Sequence, residues 1–70
     1  MFSLKVHLDL PQNLVLGLLN AIQPHSYKQV LNRRGLVQEL VLLFDSEELL
    51  FKARQRLVQS NYKVESAQFE

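Results

Sequence analysis

Residues Phe2 to Leu10 alternate apolar and polar for nine positions without a fault. Phe2, Leu4, Val6, Leu8 and Leu10 share one side, and Ser3, Lys5, His7 and Asp9 share the other. A period of two is that of a β-strand, so this segment reads as a strand with one face on a core and one toward water or a partner. A strand of this kind cannot stand alone, and the remainder of the chain has to supply a sheet and a covering layer.

With 70 residues there is room for one domain, spanning 1–70. So short a chain buries only part of its surface and is marginal by itself. It has no cysteine, which excludes disulfides and thiolate metal sites, and self-association becomes a leading way to gain buried area. A net charge of +1 supplies no general attraction to nucleic acid or acidic lipid. The opening Met-Phe-Ser-Leu-Lys lacks the pattern of a signal peptide. The stretch from Leu14 to Ile22 is too short to span a bilayer. The expected location is the cytoplasm, with no membrane partner.

Pro11 suits the first turn of a helix, with Asp9 or Asn13 as its cap. The helix is expected from Pro11 to Gln23 and is stopped by Pro24. Leu14, Val15, Leu18, Ala21 and Ile22 make its core face, and Leu16 and Leu19 form a second apolar stripe. Gly17 costs this helix about 1 kcal/mol, a cost often accepted where something packs close. Residues Ser26 to Gly35 have two readings. Asn32-Arg33-Arg34-Gly35 fits a hairpin turn, making Tyr27 to Leu31 a strand. The rival is a short helix with a Ser26…Gln29 capping box and Gly35 as its stop. The hairpin is preferred. Leu36 to Phe44 is a strand, apolar on both faces over Leu40 to Phe44 and so central in a sheet. Asp45-Ser46-Glu47-Glu48 starts a second helix that runs to about Ser60, with Leu49, Leu50, Ala53 and Leu57 on its core face. Tyr62 to Glu65 alternates again as a last strand.

The order β-α-β-β-α-β is that of a ferredoxin-like α+β sandwich: a four-stranded antiparallel sheet with both helices on one face. Its open face would carry Lys5, His7 and Asp9 from the first strand and Glu39 and Val41 from the third. Val37 and Leu43 are placed there too.

Three stretches resemble the ACT family of small regulatory domains. Leu4 to Pro11 is similar to that family's first strand and Asp-x-Pro turn, Leu14 to Ile22 to its first helix, and Asn61 to Glu65 to its last helix-to-strand junction. The resemblance implies side-by-side dimers and an effector at the shared edge. Gln12 stands where the family usually has Gly, so the dimer is the property that carries over.

His7 and Asp9, two apart, have the spacing for a base and its orienter, but a solvated strand face is the more economical reading without a nucleophile or a cleft. Two histidines and no cysteine leave no basis for a metal site, and no cofactor is expected. Arg33 and Arg34 at a turn, with Lys52, Arg54 and Arg56 on the second helix, are the candidate anion or nucleic-acid contacts. Nucleic acid is the runner-up partner and is disfavoured, because the open face lacks the stacking aromatics of an RNA-binding sheet. Leu16 and Leu19 on one helix and Phe51 and Val58 on the other are the candidate dimer or partner surface. The bland alternative is that the helices pack on each other through them. The expectation is a non-enzymatic regulatory or adaptor domain that forms homodimers and binds a protein or a small effector.

Overall fold

The computed structural model describes residues 2–65 and 68–69. Strand β1 (Phe2–Leu10) leads to helix α1 (Gln12–Ile22). Strands β2 (Ser26–Leu31) and β3 (Val37–Phe44) form a hairpin, followed by helix α2 (Glu47–Gln59) and the short strands β4 (Lys63–Val64) and β5 (Gln68–Phe69). The strand order is β2-β3-β1-β4, all antiparallel, with β5 also pairing β1. This α+β arrangement is compatible with a ferredoxin-like fold. No helix among the described residues is long and apolar enough to cross a membrane.

The period-two pattern of β1 decides where the core lies. Leu4 faces Leu42, Val6 faces Leu40, and Phe2 faces Phe44. These side chains point to one side of the sheet and join Val15 and Leu19 of α1 and Leu50, Ala53 and Leu57 of α2 in one buried cluster. Both helices therefore cover the same face. Ser3 faces Leu43, Lys5 faces Val41, and His7 faces Glu39 on the other side.

Val37 corrects the expected open face. Counting by twos from Val41 puts it outside, yet it is fully buried in the core. The register explains this. Glu39 pairs with Val30, but Val37 pairs with Leu31, so Gln38 is an extra residue relative to β2. On the other side His7 pairs with Glu39 and Leu10 with Val37, leaving Leu8 and Asp9 against Gln38. This bulge reverses the side-chain alternation of β3 alone, turning Val37 inward.

The turn between β2 and β3 settles the two readings of Ser26 to Gly35 in favour of the hairpin. The Asn32 amide donates to the Leu36 carbonyl at 2.8 Å, and the Gly35 amide donates to the Asn32 carbonyl at 3.0 Å. Asn32 Oδ1 accepts from the amides of Arg34 (2.9 Å) and Leu36 (3.1 Å). Gly35 has φ +80°, with nothing within 4 Å of where a Cβ would stand. Gly35→Val is accordingly expected to destabilise by roughly 1 kcal/mol or more through backbone strain alone. Gly17 corrects a second expectation: nothing packs within 4 Å of it. Gly17→Ala, on an exposed helical position, should stabilise by about 0.5–1 kcal/mol. Thermal unfolding of the two variants, read by circular dichroism, should therefore move in opposite directions.

The helices differ from the expected phases. The covered stripe of α1 is Val15, Leu18, Leu19 and Ile22, at perfect helical spacing, while Leu14 and Ala21 are exposed. In α2, Leu50, Ala53 and Leu57 are buried and Leu49 is exposed. Neither Asp9 nor Asn13 caps α1. Its N-cap is Pro11, with no side-chain bond, and the Pro11 carbonyl accepts from Leu14 and Val15. Helix α1 ends on Gln23 at φ +56°, a left-handed cap in which the Gln23 amide bonds to the Leu19 carbonyl at 2.7 Å. Helix α2 ends in a Schellman motif. Asn61 is left-handed at φ +67°, its amide bonds to the Val58 carbonyl, and the Tyr62 amide reaches the Leu57 carbonyl at 3.1 Å. Tyr62 then packs on the core.

Candidate binding surfaces

No described helix covers the open face of the sheet. Lys5 and Glu39 lie diagonally across β1 and β3 and form an ion pair at 3.4 Å. The His7 ring donates from Nε2 to Glu65 Oε1 at 2.7 Å. That bond is the main reason the Glu65 carboxyl is held below its ordinary value, opposed by desolvation and reinforced by the charges of Lys5 and His7. Both partners are substantially exposed, so the pair is a surface contact of small energetic weight. His7 is thus oriented by Glu65, which is 58 residues away in sequence, and not by Asp9, which is exposed beside the bulge. Val41 is half-buried among these groups. Among the described residues no cluster of three or more histidine, cysteine or acidic side chains could hold a metal ion.

The four apolar residues expected to form one helical surface lie on two. Leu19 is buried in the core, and with exposed Leu16 it lines a groove of about 610 Å³ between the end of α1 and the start of β2. His25, Ser26 and Tyr27 complete its far wall. Phe51 and Val58 are exposed and line a separate cleft on α2 with Arg54 and Gln55. The two helices meet elsewhere. Ile22 and Gln23 of α1 face Leu49, Lys52, Ala53 and Arg56 of α2 across a cleft of about 350 Å³. Arg56 Nη1 donates across it to the Ala21 carbonyl at 2.8 Å.

The basic residues are dispersed. Lys52 and Arg56, four apart, line the cleft between the helices, whereas Arg54 lines the Phe51 cleft on another side of α2. Lys52 is paired with Glu48 at 3.4 Å, and Arg56 is occupied by its bond to α1. Arg33 and Arg34 stand apart at the hairpin tip. The expected basic set does not form one continuous stripe of the kind that tracks a phosphate backbone.

The surface that sequence reasoning missed is β2. All six of its residues are exposed, including the large side chains of Tyr27 (43%), Val30 (43%) and Leu31 (41%). Tyr27 and Leu31 lie on the helix side of the sheet, paired with core residues Leu42 and Val37, but neither helix covers them. A strand with three large apolar residues, no proline and one charge was the available signal. Its edge position depends on the fold and is not encoded locally.

No family model matches the chain, and neither a curated protein nor a solved structure matches it.

Proposed function

We propose that this chain is a small non-enzymatic binding module with a ferredoxin-like sandwich fold, ACT-like in outline, that works as a homodimer in a regulatory or adaptor role. The observation that carries this reading is the exposed apolar surface left over once the core is built. β2 is exposed along its whole length, and Leu14, Leu16, Leu49, Phe51 and Val58 stay exposed on the helices. A domain of 70 residues with no disulfide buries only part of its surface by folding, and association adds to that burial. The apolar run along β2 is the part of this surface that supports contact with another protein. Two polar pairs on the open face, Lys5–Glu39 and His7–Glu65, are engaged with one another.

Sedimentation velocity tests the reading. A dimer is expected at micromolar concentration, dissociating on dilution. A single 8.2 kDa species over the whole concentration range would reject it.

A further inference from the structure

We infer that two copies of this chain join through β2, antiparallel, about a two-fold axis at Gln29, so that their sheets become one. The inference rests on the homodimer reading above and assigns its surface and register.

Strand edges are usually protected by shortness, interruption, proline or charge. Among the described residues, the opposite edge is made of β4 and β5, with two residues in each. The edge at β2 departs from that rule. It is six residues long, without proline, and carries only Lys28 as a charge. The Asn32 amide bonds to the Leu36 carbonyl, so the even-numbered residues of β2 turn their backbone groups toward β3. Alternation along an antiparallel pair then turns the amides and carbonyls of Tyr27, Gln29 and Leu31 outward. Those groups are the ladder a second strand would use.

Symmetry and charge choose the register. A two-fold pairing that keeps the helices of both copies on one side must match odd residues with odd. An axis at Lys28 would set two ammonium groups opposite each other, which is unfavourable. An axis at Val30 would place Tyr27 against Arg33, beyond the end of the strand. An axis at Gln29 places Tyr27 against the second copy's Leu31 and Lys28 against its Val30, and it uses all three outward-facing residues. Beyond the strand ends, Arg33 of one copy comes to the end at which the other carries His25 and Asp45, which lie 3.1 Å apart, and Asp45 is largely exposed and able to accept the guanidinium. Symmetry makes that charge match twice. On the helix side, the second copy's Leu31 comes beside Tyr27, at the wall of the α1–β2 groove. The groove would then be bounded by both copies.

The chain has no cysteine, so single thiols report the register directly. At the axis, the two residues at position 29 would have Cα atoms about 5.5 Å apart, within the disulfide range of about 4.4–6.8 Å. Gln29→Cys is expected to form a covalent dimer on mild oxidation, while Lys28→Cys and Val30→Cys, each offset from its own copy by two residues, remain mostly uncrosslinked. Gln29→Pro removes an outward amide and no bond to β3, and proline is tolerated at a strand edge. It should yield a monomer with the wild-type circular dichroism spectrum. Preferential crosslinking at position 28 or 30 would overturn the register. A wild-type dimer whose Gln29→Cys form does not crosslink would overturn the β2 surface and leave the homodimer intact. A wild-type monomer would overturn both.

Discussion

Phe44→Ala is expected to remove about 3–5 kcal/mol of stability. Phe44 is the largest of the side chains that are almost fully buried, 2% exposed at the end of β3, where it faces Phe2 across the sheet. Its replacement deletes a ring from the layer between sheet and helices, and the cavity cannot collapse fully because both strands are held in their ladders. Natural domains are stable by only about 0.05–0.15 kcal/mol per residue, so the loss would consume a large part of the total. Urea titration at fixed protomer concentration measures it, a condition that matters because dissociation and unfolding would be linked. A loss below about 1 kcal/mol would show that the Phe44 site is not the tightly packed centre described above.

The second large effect is a contrast between neighbours. Leu50→Ala should cost about 2–5 kcal/mol, and Leu49→Ala only about 0.5 kcal/mol as a surface change. The two leucines are adjacent on α2, yet Leu50 is fully buried and Leu49 is 51% exposed. The same urea titration checks this. Equal costs would mean that α2 is rotated from the orientation described, or that Leu49 is covered in an oligomer. Repeating the comparison on Gln29→Pro, once sedimentation has shown that variant to be monomeric, separates the two explanations.

These helix phases mark where the sequence stopped being legible. The phase of α1 could not be read because Leu14, Val15, Leu16, Leu18, Leu19, Ala21 and Ile22 surround most of its circumference. Only packing against the sheet selects Val15, Leu18, Leu19 and Ile22. The same holds at Leu49 and Leu50. The strands were more transparent, since period two leaves a simple choice between faces and Leu4 and Val6 make it plain. The hairpin was legible because Asn32 and Gly35 each have a local conformational reason to be where they are. What no local pattern contained was tertiary pairing. His7 meets Glu65 only because β4 lies beside β1. The exposure of β2 follows from its place at the end of the sheet order. The bulge at Gln38 had no glycine or proline to announce it.

That bulge bears on how the sheet avoids misassembly. Leu40 to Phe44 is apolar at every position, so sliding β3 past its neighbours by one residue would still bring greasy side chains to the helices. Hydrophobic pattern alone discriminates poorly between such slipped pairings. Both ladders shift register at Gln38, with no residue of β2 against it and two of β1, so any slip would have to carry both shifts along at once. Together with the tight turn at Asn32 to Gly35, the bulge fixes the alignment of the central strand at a point outside the apolar run. A chain lacking Gln38 would keep its composition and nearly all of its core, yet lose the feature that tells β3 where to stop.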